Sequence, residues 1–528
     1  MGPRSPIGDQ AQDMEAPIST EIELKLAAHP ADLPQLKRAL AEMAPGSVSA
    51  QERLVSTYYD TPDLTLQRSG LTLRVREQAG RFTQTVKAED AARAGLHARG
   101  EWEDWLTENR PKPDAPQSGS QLPPGAGADL RELFATDVMR TVVEMEPRAD
   151  TRIEAAIDEG EVRLAGDHTV EPISEIELEL KNGETAALYD VALRLLDVAP
   201  VRIETRSKSE RGYRLAAGGE ASAPVHAEPV NLDRDMPVEA ALQKIGRSCL
   251  AQLVGNEAAV LAGNSEGVHQ MRVAARRIRS SASALKEMLS VEDRRWIAEE
   301  VGWIAHTLGP ARNLDVFADE LLPDARAGFP DEPGWSDLAT TLDRLRQAAD
   351  GRVKEAILSE RYAATMLRLS RWFEACGWRG QQSPEQGALG CSMIGELAAR
   401  VLDRRRHKVR RRSKQFANRT PPERHKLRIA LKKLRYTTEL FGSLFDKNDL
   451  RSFLSRLRHL QSDLGYSNDV RVAHEFLTDL FAETEPRSPG AHAWVATLEW
   501  HDHALLRGER KLRKHVRRLR DAAPFWQD

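Results

Sequence analysis

Apolar and charged positions alternate through the first 215 residues. Glu21, Glu23 and Lys25 interleave with Ile22, Leu24 and Leu26. On an extended strand, alternate side chains point to opposite faces, so two carboxylates and an ammonium share one face and three aliphatics the other. The pattern recurs. Arg74 and Arg76 alternate with Leu71, Leu73 and Val75, and Lys87 lies opposite Phe82 and Val86. Arg99, Glu101 and Glu103 alternate with Gly100 and Trp102, and Glu175, Glu177 and Glu179 with Ile176, Leu178 and Leu180. Further strands are predicted near Arg140 and over 153–158, with a hairpin turn at Asp158-Glu159-Gly160. A last strand is predicted to carry Arg202, Glu204, Arg206 and Lys208 on one face. Short helices are predicted near 32–41 and 185–196. The Pro, Gly and Ser-rich stretch 110–127 reads as a loop outside the sheet. Trp102 and Trp105 read as packing residues. About eight evenly spaced strands predict an antiparallel sheet that closes on itself.

The texture changes after the linker-like stretch 216–230. From Met236 onward apolar residues recur every three to four positions, which predicts helices. One block repeats. His269, Arg272, Arg276, Arg277 and Arg279 match His425, Arg428, Lys432, Lys433 and Arg435 at an offset of 156. The segment 308–316 matches 464–472 at the same offset. Two motifs at one offset predict two copies of a helical unit, related by a pseudo-twofold axis. At 100° per residue, His269, Arg272, Arg276 and Arg279 fall within about 80° of arc, with Met271 and Ile278 opposite. The second copy behaves alike, with Leu427 and Leu434 opposite. Each helix therefore packs by one face and presents a basic stripe on the other.

Charge sharpens the division. Residues 1–226 hold 26 Lys and Arg against 39 Asp and Glu, whereas the remainder holds 50 against 41. An acidic half joined to a basic half implies two jobs, with a polyanion as partner of the second. The three cysteines form no close pair, which argues against a disulfide framework or a zinc site. No apolar run approaches the ~18 residues of a membrane span, and the N-terminus lacks an apolar signal core. The expectation is a cytoplasmic protein without membrane association.

Like charges side by side on a strand are unfavourable by up to about 1 kcal/mol unless something neutralises them. The carboxylate groups suit a hard divalent cation, and the Arg and Lys groups suit phosphate oxygens. A solvated sheet face is the plain alternative. The Glu21-x-Glu23-x-Lys25 run, followed by Arg74, Arg76, Lys87, Arg99 to Glu103, Arg140, 153–158, 174–179 and 207–213, resembles the CYTH, or triphosphate tunnel metalloenzyme, superfamily over about residues 19–215. The resemblance implies an eight-stranded tunnel acting on a triphosphate with Mg²⁺ or Mn²⁺. It implies Glu21, Glu23, Glu101, Glu103, Glu175 and Glu177 as metal ligands. Lys25, Arg74, Arg76, Lys87, Arg140, Arg202 and Lys208 are then the substrate-binding residues. Lys25, Glu21 and Glu23 are expected to be catalytic, with Lys25 orienting the attacking water or the terminal phosphoryl group.

The repeated histidine motif resembles the CHAD domain, here over about residues 231–525. That resemblance implies two four-helix bundles and the binding of inorganic polyphosphate. His269, Arg272, Arg276, Arg277, Arg279, His425, Arg428, Lys432, Lys433 and Arg435 carry over as binding residues. The stripes lack interleaved aromatics apart from Tyr436, which disfavours nucleic acid. The domain expectation is therefore a disordered tail 1–18, a tunnel 19–215, a linker 216–230 and a helical domain 231–528: an α+β multidomain protein. The functional expectation is hydrolysis of inorganic triphosphate in the tunnel and polyphosphate binding by the helices. The alternatives are a non-enzymatic polyphosphate-binding protein, a class IV-like adenylate cyclase or an organic triphosphatase.

Overall fold

The computed structural model describes residues 21–88, 96–219, 223–483 and 488–527. The expected tail 1–18 lies outside the described residues. The first half is one antiparallel sheet of β1 (Glu21–Ala28), β2 (Glu52–Asp60), β3 (Leu71–Gln78), β4 (Arg81–Ala88), β5 (Leu96–Arg99), β6 (Glu101–Leu106), β7 (Arg131–Arg148), β8 (Thr151–Leu164), β9 (Val170–Asn182) and β10 (Val201–Ile203). The order is β10-β1-β9-β8-β7-β2-β3-β4-β6, and β5 pairs with β1. Gly100 alone separates β5 from β6. The two are thus one broken stave that leaves β4 and joins β1, closing a ring of eight staves. Closure removes the open edges of the sheet and forces one face of every strand into a lumen.

The outward aliphatics Leu24, Leu26, Ile176 and Leu178 are buried under α1 (Leu33–Met43) and α3 (Ala186–Leu196). The short α2 (Thr65–Arg68) caps the end of β2, where Asp60 accepts the Leu66 and Gln67 amides. The 110–127 stretch packs on the outer face of β4, where buried Gln84 bonds the backbone of Lys112 and the Ser118 hydroxyl.

Two local expectations are corrected. No turn forms at Asp158–Gly160; β8 runs straight through it. Gly160 serves close packing instead, since a Cβ there would sit 2.0 Å from the Asp137 carbonyl oxygen on β7. The last strand ends at Ile203, and Lys208 opens helix α4 (Lys208–Ala216). Ser207 accepts the Glu210 amide while the Glu210 carboxylate accepts the Ser207 amide, a capping box that starts a helix where alternation predicted a strand.

The second half is helical: α5 (Val238–Gly255), α6 (Glu257–Leu261), α7 (Ser265–Ala284), α8 (Val291–Val316), α9 (Leu322–Gly328), α10 (Trp335–Ile357), α11 (Glu360–Glu374), α12 (Pro384–Cys391), α13 (Ile394–Ser413), α14 (Pro421–Leu440), α15 (Lys447–Glu483) and α16 (Pro489–Arg520). The starts of α5 and α13, α7 and α14, and α8 and α15 are each 156 residues apart. Pro237 and Met393, also 156 apart, form an antiparallel bridge. Around it the Val238 amide donates to the Ser392 carbonyl and the Ile394 amide to the Met236 carbonyl. Equivalent residues bonding each other reciprocally mark a local twofold axis. The helices α7 and α14 pack together, and α10 packs on both α8 and α16.

The halves are not loosely tethered. Helix α3 packs on α11, and Asp190 pairs with Arg371 across the junction and with Arg148 at 2.5 Å. One contiguous apolar core runs from Leu188 and Leu195 into Met366 and Phe373. The packing argument predicts opposite effects at two glycines. Gly160→Val should lower thermal stability by about 3 kcal/mol, since the neighbour is backbone and cannot yield. Gly302→Ala in α8, where a Cβ meets nothing within 4 Å, should raise it by roughly 0.5–1 kcal/mol.

Candidate functional site

The lumen is a cavity of about 520 Å³. Glu23, Lys25, Arg74, Arg76, Lys87, Glu101, Glu103, Arg140, Glu177 and Lys208 all line it. Glu21 starts β1, but its side chain lies outside the described ones. Register explains the convergence: Lys25 is opposite Glu177, Glu23 opposite Glu179, and Asp158 opposite both Arg140 and Glu175. One wall is therefore acidic, from β1, β8 and β9, and the facing wall, from β3 and β4, is basic.

Within the acidic wall, Lys25 is buried between Glu23, at 3.0 Å, and Glu177. Arg140 holds Asp158 at 2.6 Å and Glu177 at 2.5 Å. Burial alone would lower the Lys25 and Lys208 pKa values, but the surrounding carboxylates, Glu177 foremost for Lys25 and Asp158 for Lys208, raise both. Burial alone would raise Glu177, but Lys208, Lys25 and Arg140 outweigh it and hold the carboxyl well below the usual range.

The basic wall is less well balanced. Glu101 pairs with Lys87 at 2.9 Å and more loosely with Arg74 at 3.4 Å. Arg76 contacts only the Ser56 hydroxyl, at 3.3 Å, among the described residues. Burial, Arg74 and Arg140 push its guanidinium down to about 10. Burial would raise the Tyr58 phenol, yet Arg74 and Arg76 draw it below its usual value. Buried positive charge without a counter-charge is costly, and an anion in the lumen relieves it.

Three carboxylates gather at the floor. Oxygens of Asp158, Glu175 and Glu177 lie within 4.8 Å of one another. The Lys208 ammonium stands among them, 2.7, 2.5 and 2.9 Å from each. An all-oxygen donor set fits a hard divalent cation, and the ammonium marks where positive charge is favoured. Asp158 was missed as a site residue because Asp-Glu-Gly resembles a turn. Arg211 was missed because it lies inside the unforeseen helix α4; its Nη2 bonds Glu175 and Glu204, both at 3.0 Å. Glu101 and Glu103 stand apart from this cluster, beside the basic wall.

Arg202 requires a correction. It lies opposite Ala27 on β10, lines no part of the lumen, and faces a second cavity between the two halves. Trp105 is likewise no packing residue; it is 73% exposed and follows Glu101 and Glu103 on one face of β6.

In the helical half the two stripes face each other. Lys432 feels Arg428, Arg276 and Arg272, and burial together with these neighbours pushes its ammonium down to about 7. Arg272 falls to about 10 through burial, Arg276 and Arg312. The buried Nε atoms of Arg276 and Arg428 have no hydrogen-bond partner. Burial and Arg312 lower His269 to about 4, and burial and Arg428 lower His425. Arg312 from α8 and Arg471 from α15 join this cleft and were not foreseen, because their equivalents at the offset of 156 are Asn468 and Asp315, so neither position is basic in both copies. Four predicted members behave differently. Arg277 turns inward to Gln252 at 2.8 Å and is buried, so it supports α5 rather than the cleft. Lys433 feels Arg405, Lys408, Arg279 and Arg412, and so belongs with Arg279 to another face. Arg435 is paired with Glu439 at 2.9 Å.

Comparison with known proteins gives the class. Residues 19–213 match the CYTH domain family and residues 244–478 the CHAD domain family. The chain carries a CYTH domain followed by a CHAD domain. It is 34% identical over 212 residues to an inorganic triphosphatase of Haemophilus influenzae, an alignment spanning 39% of this chain and 57% of that protein. It is 26% identical over 469 residues to an uncharacterized protein of Mycobacterium tuberculosis, spanning 81% and 82% of the two chains. Among solved structures, the CHAD domain of the plant Ricinus communis covers 57% of this chain and 98% of its own, at 25% identity and TM-score 0.47. No helix among the described residues is long and apolar enough to cross a membrane.

The charge pairing predicts acid sensitivity. Asp158 and Glu177 have folded pKa values below the ordinary carboxylate range. Their stabilisation is present above the unfolded-state value and is lost as pH falls through about 4 toward the folded values. Thermal melts of the metal-free protein should therefore fall steeply below about pH 4. Glu177→Gln should be less stable at pH 7 and show a shallower acid slope.

Proposed function

We propose that the tunnel hydrolyses inorganic triphosphate to pyrophosphate and phosphate with a divalent cation, Mg²⁺ or Mn²⁺. The reading rests on one observation: a closed lumen in which Arg76, with no carboxylate partner among the described residues, faces a carboxylate-lined floor. Arg74, Arg76, Lys87 and Arg140 bind phosphate oxygens. Glu23, Asp158, Glu175 and Glu177 are the residues that would hold the cation, with Glu101 and Glu103 nearer the phosphate side. A bound cation neutralises phosphate charge and lowers the pKa of water. Lys25, fixed by Glu23 and Glu177, orients the terminal phosphoryl group or the water that attacks it. Lys208 balances the floor carboxylates. Resemblance to the Haemophilus triphosphatase supports this choice of substrate.

Exposed Trp105, on the same face of β6 as Glu101 and Glu103, favours a second reading in which a base or thiazole ring stacks at one end and the substrate is an organic triphosphate. Phosphate release with Mg²⁺ or Mn²⁺ from triphosphate, ATP and thiamine triphosphate separates the two. Fast turnover of triphosphate, unchanged by Trp105→Ala, supports the first. Glu23→Gln and Lys25→Ala should each lose at least about 10²-fold in kcat. Release of cyclic AMP or no turnover would overturn hydrolysis.

We infer that the CHAD half binds inorganic polyphosphate in the cleft between α7 and α14, through His269, Arg272, Arg276, His425, Arg428 and Lys432. Two buried, unpartnered guanidinium Nε atoms beside clustered like charges support a polyanion there. Such a protein would act in the cytoplasm, alongside polyphosphate stores. Arg272→Ala with Arg428→Ala should abolish polyphosphate binding and spare triphosphate turnover. Lys432 is half-protonated near pH 7 without ligand, and an anion favours the protonated form. Affinity should therefore weaken as pH rises through 7 toward the ligand-raised pKa. Lys432→Arg should flatten that dependence in titrations at pH 6, 7 and 8.

A further inference from the structure

Between the halves lies a second cavity of about 440 Å³, within the size range of small-molecule pockets, about 300–1,000 Å³. Two of its three acids, the two from the tunnel half, are already committed. Glu204 accepts from Arg206 at 3.2 and 3.1 Å and from Arg211 at 3.0 Å, and these contacts hold it at about 2 despite burial. Glu171 is paired with Arg214, and Glu360 is exposed at the rim. Its donors are not all used. The Arg202 guanidinium makes no hydrogen bond or ion pair among the described residues. The buried carboxyl that feels Arg202, Glu257, is raised to about 8 by burial and so does not neutralise it at pH 7. Arg211 is 4% exposed, and its Nε and the Ser174 Oγ, both at this cavity, are buried without partners. A tunnel-side wall with spare donors and paired carboxylates calls for a ligand rich in acceptors.

The remaining wall is apolar: Pro30, Pro172 and Leu196 from the tunnel half and Leu358, 53% exposed, from the helical half. A bare oxyanion would leave that surface uncovered. We propose that this interdomain cavity binds a small organic phosphate. Its phosphate sits on Arg202, Arg206, Arg211 and Ser174, and its apolar body lies against Leu196 and Leu358. The site is separate from the lumen and from the basic cleft, and neither proposed activity is needed for it.

Titration calorimetry of the full chain with AMP, adenosine and inorganic phosphate tests the site. AMP is expected to bind, with adenosine and phosphate each at least ten-fold weaker. Arg202→Ala should weaken AMP at least ten-fold, while Arg76→Ala in the lumen and Arg276→Ala in the cleft should leave it unchanged. Leu358→Asp, at an exposed position on the helical half's side of the cavity, should give the same loss with native melting retained. Binding that survives Arg202→Ala, that disappears in Arg76→Ala or Arg276→Ala, or that is matched by phosphate alone would overturn the proposal, as would the absence of AMP binding. The readout is binding, so it holds whether or not the tunnel turns over triphosphate.

Discussion

An ammonium among three buried carboxylates organises the tunnel half. Lys208 comes from the first turn of α4, Asp158 from β8, and Glu175 and Glu177 from β9. Each carboxylate would be expensive to bury alone, and so would the ammonium. Together with Arg140, Lys25 and Arg211 they form a network in which every charge needs its neighbours. Removing one partner strands the rest, so the network fixes the position of α4 against the sheet as well as the chemistry of the floor. The apolar outer faces supply the driving force for the ring. The inner charges specify which strands face which.

The opposite wall breaks that balance. Arg76 has a hydroxyl for company and two other arginines nearby. The protein tolerates this because the outer core is extensive and the lumen remains open to solvent. The same imbalance recurs in the CHAD cleft, where burial and neighbouring cations, Arg276 among them, depress Arg272, Arg428 and Lys432. One setting is a lumen ringed by strands, the other a cleft between two helices. The two halves share one imbalance of positive charge on two scaffolds.

Alternation was enough to read the strands, because the charged face of each stave must face the lumen once the ring closes. Glu23, Lys25, Arg74, Arg76, Arg140 and Glu177 were legible for that reason. The misreadings have local causes. Asp158 and Gly160 look like turn residues, but Gly160 is there for contact with β7. Lys208 continues an alternating pattern, but Ser207 and Glu210 cap a helix, a signal present in the sequence and outweighed by the period-two run. Arg202 shares that pattern yet lies past the end of the lumen. Arg277 sits beside the stripe in sequence, but one residue turns a helix by 100°, enough to bury it against Gln252. Arg312 and Arg471 reach the cleft from other helices, which no single-helix pattern can reveal.

The reciprocal backbone bonds around Pro237 and Met393 have a consequence for how the helical half is assembled. Each copy offers a donor and an acceptor that only the other copy matches. A single copy would carry this self-complementary edge exposed, and two separate copies would have to find each other in solution, with an affinity that fades on dilution. Joining them in one chain replaces that concentration-dependent encounter with a fixed, high effective concentration. The basic cleft, built from one helix of each copy, is thereby kept whole at any protein concentration, and its two walls are free to diverge, as Arg276 and Lys432 at equivalent positions already have.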